Sequence, residues 1–332
     1  MFLCYSVTNV EVYPMSDKNI NENEELVEKQ EDVIPEDKPY NVAIEDARKE
    51  LFKSYQTSRR ISSILMIIVV VAIVGIMLLI INNNQILKIV GYCLAGALIV
   101  GMIVYYVINR KRLPNKIKEY VPFVSKTLND KMFSHQGFSD ISCNYEEKLA
   151  MDDLIGDGVY AEATGINSRN VVRGQYRGHH FTYAEAALLR PSSRKQQVPP
   201  LFVGRYITVP NQMKFDGRYI FVMKNAKQPN DLPNNTNDLV VLEDKDEFMV
   251  YGPENANYHD VIDNKIVSQI RRLKVEGHLL NANIVFWGGH TAVYLSYDDP
   301  ILAVPFEHEF DAKAFEQSLE DLMICFNAIT EE

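Results

Sequence analysis

Two apolar runs, Ile61–Ile81 and Ile86–Ile108, dominate the pattern of hydrophobic and polar positions along the chain. Neither run contains an acid, and Lys88 is the one strongly basic residue within them. Each is about 20 residues long, which at roughly 1.5 Å per residue matches a hydrocarbon core of about 30 Å. They predict a transmembrane hairpin, 61–81 and 86–108, closed by the short polar turn Asn82-Asn83-Asn84-Gln85. Before it, Ile44, Ala47, Leu51, Phe52 and Tyr55 recur at three- and four-residue steps and predict a juxtamembrane helix over 41–60. After it, Ile117, Tyr120, Val121, Val124, Leu128 and Phe133 predict a stalk helix over 113–135. Three fates stay open for these two segments: pairing as a stalk, lying on anionic lipid, or packing on the following domain. Packing is favoured for the second.

From about Gly137 the period shortens. Asp157–Thr164, Val171–Arg177, His179–Leu188, Leu201–Val209 and Arg218–Lys224 are rich in Val, Tyr, Phe and Ile and are broken by Gly, Pro and Asn, so they predict strands. Leu239–Leu242 and Glu247–Tyr251 extend the series, followed by a predicted helix over about His259–Lys274. Ile284–Trp287 and Ala292–Ser296 flank Gly288-Gly289 and predict a hairpin. A last helix is predicted over about Ala312–Ala328, with Asp311 as N-cap and Phe315, Leu319, Leu322, Met323 and Phe326 on its apolar face. Strands and helices without strict alternation indicate an α+β domain over 137–330, with a largely antiparallel sheet, flanking helices and a subdivision near 230 left open.

Flanking charge sets the orientation. Arg48, Lys49, Lys53, Arg59 and Arg60 precede the first run, and Arg110, Lys111, Arg112, Lys116 and Lys118 follow the second. Positive residues prefer the cytoplasmic side, so both termini and the domain are expected there, at the cell membrane. The formal net charge of −10 is concentrated in residues 1–40, an acidic tail too polar to order itself. Nucleic-acid binding has no electrostatic support, and no nucleic-acid-binding motif is present. Cys4, Cys93, Cys143 and Cys325 are too scattered for a disulfide framework or a paired zinc motif. Met15 is as acceptable a start as Met1.

Candidate chemistry is sparse. No acid or arginine lies within either run, which argues against a transport path or proton relay. His179-His180 is the most tempting pair, but neighbours in a strand point to opposite faces and do not share a metal. Glu307-His308-Glu309 lacks zincin spacing, and Asp152, Asp153 and Asp157 lack a calcium loop and read as capping residues in a turn. Gly156-x-Gly158 lacks the rest of a nucleotide loop, and there is no Gly-x-Ser-x-Gly elbow. No cofactor is expected. The loop at 190–200 carries Arg190, Arg194 and Lys195 without an acid; it reads as an exposed hairpin tip or as a contact for anionic headgroups. Trp287 reads either as an exposed contact or as a cover on the sheet.

Two runs, a stalk, an Asp-Gly-Asp-Gly-like region at Asp153–Gly158, the strand Phe202-Val203-Gly204-Arg205-Tyr206 and the stretch Leu242-Glu243-Asp244 … Glu247-Phe248-Met249-Val250-Tyr251 occur in this order. Over about residues 40–330 the chain resembles a bacterial family of two-span, membrane-anchored proteins of uncharacterised function. His259–Lys274 departs from that pattern in charge and detail. The resemblance implies a cytoplasmic α+β domain on a membrane anchor and transfers no catalytic residue. The expected function is a membrane-anchored binding or scaffold module, with the lipid bilayer and a protein as partners. The alternative is a membrane-associated, hydrolase-like enzyme whose site is assembled from distant residues.

Overall fold

The structure, a computed structural model, describes residues 38–81, 84–155, 157–160, 162–190, 200–224, 238–297 and 306–330. Helix α1 spans Tyr40–Ile81 and α2 spans Gln85–Phe133. No helix end separates 41–60 from 61–81, or 86–108 from 113–135; each pair is one continuous helix. At roughly 1.5 Å per residue the two helices are about 63 and 74 Å long, about twice a hydrocarbon core. Asn84 caps α2 by accepting from the Ile86 N–H at 3.0 Å. The helices run antiparallel and are tied along their length: Ser62 to Tyr105 at 2.8 Å, Lys116 to Ser54 at 2.9 Å, and Lys131 over the Tyr40 ring at 5.5 Å. Both are long and apolar enough to cross a bilayer, and from Ile61 to Val104 they expose Ile, Val, Leu and Met side chains on all sides. Gly91 is buried toward α1, where a Cβ would lie 3.0 Å from Ile80. Ala97 and Gly101, further along α2, face outward.

The remainder is α+β. Strands β1 (Phe138–Asn144), β2 (Gly165–Tyr176), β3 (His179–Leu189), β4 (Phe202–Met223), β5 (Val240–Asp244), β6 (Phe248–Gly252) and β7 (Leu279–Tyr297) form one sheet in the order β1-β2-β3-β4-β6-β5, with β7 along β4. All neighbours are antiparallel. Strand β7 follows β4 from Gly204↔Ser296 to Val222↔Asn283, while β3 takes the first part of β4's other edge and β6 the last. Arg177-Gly178, both at positive φ, make the tight β2–β3 turn. The helices are α3 (Met151–Ile155), α4 (Asn264–Ile270) and α5 (Ala312–Ile329), the last capped by Asp311, which accepts from Lys313 and Ala314 N–H at 3.0 Å.

Four expectations are corrected. Asp157–Thr164 is no strand among its described residues: 157–160 form turns, because Gly158 at positive φ and the buried Asp157 side chain hold them off the ladder. Leu201–Val209 and Arg218–Lys224 belong to one long strand, β4. Gly288-Gly289 does not turn a hairpin. It lies inside β7, where eight residue steps of β4 (Pro210 to Arg218) face three of β7 (Trp287 to His290), and Gly288 at positive φ absorbs the irregularity. The helix expected over His259–Lys274 is a 3₁₀ turn, Tyr258–Asp260, followed by the short α4, which Asp263 caps anew.

Two apolar layers enclose the sheet. One face packs on the helices: Ile44 and Leu51 of α1, Val124, Leu128 and Phe133 of α2, and Phe315, Leu322 and Phe326 of α5 meet Phe181, Tyr183, Ile207 and Leu295. Thus α1 as well as α2 pairs as a stalk and packs on the domain. The other face is covered at one end by 149–163, where Leu149, Leu154, Val159 and Tyr160 meet Ala184, Leu188, Tyr206 and Tyr294.

Candidate functional site

Side-chain alternation carries that second face past its cover. On β3, Ala184, Ala186 and Leu188 are buried beneath 149–163, while His180 and Thr182, on the same face, extend beyond it. The same occurs on β4, from Tyr206 to Thr208 and Pro210, and on β7, from Tyr294 and Ala292 to His290. With Arg173 and Gln175 of β2 and Asp140 and Ser142 of β1, these residues line an open groove of about 440 Å³. Its floor is set by the registers Thr182↔Thr208, Gln175↔His180 and Pro210↔His290. The His290 ring lies 5.5 Å from that of Trp287, tilted by 31°, and Trp287 packs on the covered layer.

Arg173 donates to both Glu147 oxygens, at 2.9 and 2.5 Å, and holds that carboxylate below its usual range. The fork fixes the guanidinium at the groove's edge. Hydroxyl, imidazole, amide and carboxylate groups therefore converge over a partly apolar floor. Such a surface suits hydrogen bonding to a polar ligand. Among the described residues no hydrogen bond joins His180 or His290 to Asp140 or Ser142, and no group of three or more His, Cys, Asp and Glu is gathered for a metal.

The cover is held by buried polar contacts. The Asp157 carboxylate accepts from the Val159 N–H at 2.9 Å and the Tyr294 hydroxyl at 2.8 Å, and burial pushes it up to about 6. Arg218 donates to the Asp157 carbonyl at 3.0 Å, Tyr206 to the Asp153 carbonyl at 2.8 Å, and Ser168 accepts from the Leu149 N–H at 2.8 Å. On the opposite face Arg205, fully buried, donates to the carbonyl and hydroxyl of Ser318 at 3.0 and 3.1 Å and lies 5.3 Å from the Tyr297 ring, which ties α5 to β4. Burial raises the neighbouring Asp321 to about 6, against the pull of Arg205.

The structure separates most of the sequence candidates. His180 enters the groove, while His179 lies on the other face. Asp152 and Asp153 are exposed on α3, where Asp153 accepts from the Ala150 N–H at 3.2 Å as a capping residue. His308 is exposed beside α1 and stays apart from both. Cys325 is core. Arg190 is exposed at the end of β3, and Arg194 and Lys195 lie outside the described residues. His290, Asp140, Ser142, Arg173 and Thr208 were not singled out in the sequence. The signal for them is a change from polar to apolar along one face of a strand, as in His180-x-Thr182-x-Ala184-x-Ala186.

No family model matches the chain, and no curated protein matches it. Among solved structures it is similar to the crystal structure of the mycobacterial trehalose monomycolate transport factor A, TtfA, at 16% identity over 60% of this chain and 95% of that one, with a TM-score of 0.35. A likeness at that score carries no argument about function.

Proposed function

We propose that this protein is a membrane-anchored binding module, in which a two-helix hairpin holds an α+β domain at the cytoplasmic face of a bilayer and the sheet groove receives the ligand. The observation that carries the reading is the continuity of α1 and α2 from long, exposed apolar segments into the domain core. An exposed apolar surface of that extent is stable in lipid and not in water. The cations at both inner ends support the cytoplasmic assignment. The groove supports binding because its polar groups are pre-placed on rigid strands.

Topology and binding are tested together in a cysteine-free background. Gln85→Cys is expected to react with an impermeant maleimide in intact cells, and Ser139→Cys only after permeabilisation; the reverse pattern overturns the orientation. A thermal-shift screen of the solubilised chain against small polar metabolites and short peptides is expected to find binders. Thr182→Arg and Thr208→Arg fill the groove and should abolish the shift. Binders indifferent to both substitutions, or none at all, overturn the groove as the ligand site.

A further inference from the structure

Between Glu50 and Glu119 the chain contains no acid, yet Lys53, Arg59, Arg60, Arg110, Lys111, Arg112, Lys116 and Lys118 flank the two apolar segments. The structure turns this sequence pattern into a place. The bonds from Ser62 to Tyr105 and from Lys116 to Ser54 lay the segment 54–62 beside 105–116. Arg59 and Arg60 therefore stand level with the backbone of 110–112, where the apolar segments end. The side chains of Arg110, Lys111 and Arg112 lie outside the described residues. Lys53, Arg59, Arg60, Lys116 and Lys118 are exposed.

The basic residues nearby divide into two kinds. Arg48 is buried, with its guanidinium on both Glu45 oxygens at 2.7 and 2.6 Å and on the Phe306 carbonyl at 3.1 Å; Lys49 also lies 3.6 Å from Glu45. Arg48 is thus turned into the fold, and Lys49 shares the same carboxylate. Lys116 reaches Glu50 at 3.7 Å, but among the described residues Lys53, Arg59, Arg60 and Lys118 have no acidic partner. A continuous helix fixes their height: Arg60 adjoins the first apolar residue, and Lys53 is about 10 Å further out, within roughly one screening length of the surface. Unneutralised cations held rigidly at that height meet phosphate-bearing headgroups.

We infer that the stem of the hairpin, centred on the exposed Lys53, Arg59 and Arg60 of α1, is a binding surface for anionic phospholipid headgroups. The inference rests on the reading that the hairpin spans a bilayer. The surface collects negatively charged lipid around the anchor, and salt weakens it because its cations are exposed.

The test uses the full chain in phosphatidylcholine vesicles doped with spin-labelled phosphatidylglycerol or spin-labelled phosphatidylcholine, with the motionally restricted fraction read by electron spin resonance. One cation near the surface changes the association roughly fivefold. The wild-type chain is expected to prefer phosphatidylglycerol by about tenfold or more at low salt, with the preference falling as salt rises. Lys53→Gln/Arg59→Gln/Arg60→Gln should bring it close to parity, while Lys265→Gln/Arg272→Gln/Lys274→Gln on the domain should leave it unchanged. A wild-type chain without preference overturns the inference, as does a stem triple that keeps it. Release of the chain from vesicles by alkaline wash would instead remove the anchoring reading, and flotation of the same samples reads that separately.

Discussion

At Asp157 burial and hydrogen bonding pull in opposite directions. The Val159 N–H, the Tyr294 hydroxyl and the nearby Arg218 favour the carboxylate, and removal from water outweighs them, leaving the group at about 6. A folded-state value above the unfolded one of about 3.9 means that folding favours the protonated form. The contribution is fully favourable below about pH 4 and is lost as pH rises through 6. A shift of about two units is worth at most about 3 kcal/mol at pH 8. Asp157→Asn removes the charge and keeps the geometry: its carbonyl accepts from the Val159 N–H, and its amide donates to Tyr294, whose hydroxyl also bonds the Leu154 carbonyl. The variant is expected to be more stable than wild type by about 1–2 kcal/mol at pH 8 and no more stable at pH 4. Melts of the solubilised chain across that range check it. A variant that parallels wild type at every pH refutes the assignment. Asp321, on the buried side of α5 and raised to about 6, acts with the same sign and leaves residual pH dependence in the Asp157→Asn variant.

Strand β4 is the element on which the domain depends, since β3, β6 and β7 all pair with it. Its closest approach to a neighbour is at Gly204, where a Cβ would run into the Leu295 carbonyl of β7, with its carbon 2.8 Å away. Backbone cannot move aside as a flexible side chain does. Gly204→Ala is therefore expected to cost about 3 kcal/mol, the upper end for overpacking. Gly165→Ala, where the nearest atom is the Leu189 Cδ1 at 3.5 Å, should be close to neutral. Denaturant melts of the two variants decide the point, and equal stability would show that β4 and β7 separate without penalty. The same strand marks where the sequence stopped being legible. Alternation around Phe202–Val209 and Arg218–Met223 is readable locally, as is the Arg177-Gly178 turn. The pairing of β7 along all of β4 is not, because a Gly-Gly pair looks identical in a hairpin and in a bulge until its partner strand is known. The groove shares that difficulty. Its residues come from β1, β2, β3, β4 and β7, and only the register brings Asp140, Arg173, His180, Thr208 and His290 to one face. The polar-to-apolar change along β3 was in the sequence; what covers its apolar half was not.

On the scale of the whole molecule, the apolar hairpin and the domain share two helices. The apolar segments were plain in the sequence, as was helical periodicity on their inner sides. Their continuity was not, since the polar, basic stretches at 53–60 and 109–116 interrupt the apolar pattern and Pro114 removes a backbone donor. In the folded chain tertiary contacts hold α1 within and before the first of those stretches. Tyr55 packs on Phe306 at 5.4 Å, Arg48 bridges Glu45 and the Phe306 carbonyl, and Tyr40 packs on Phe315 at 5.6 Å and donates to Glu316 at 3.1 Å. Arg48 holds the Glu45 carboxyl down at about 2, so this clasp persists through mild acid and is lost only as pH falls toward that value. A stem built this way fixes the tilt of the domain against the apolar hairpin. Inserting Gly-Gly after both Ser58 and Asn115 breaks the helices outside the packed segments 40–51 and 117–133, because glycine costs about 1 kcal/mol per residue in a helix interior. The core contacts stay on the domain side of both insertions, so the melting transition of the domain should hardly move. The geometry between its parts should change: spin labels at Gln85→Cys and Asp246→Cys are expected to give one narrow distance distribution in the parent and a broad one in the insertion variant, read by pulsed dipolar spectroscopy. A parent distribution already as broad as the variant's would mean that the domain swings freely on its anchor and that helix continuity transmits no orientation.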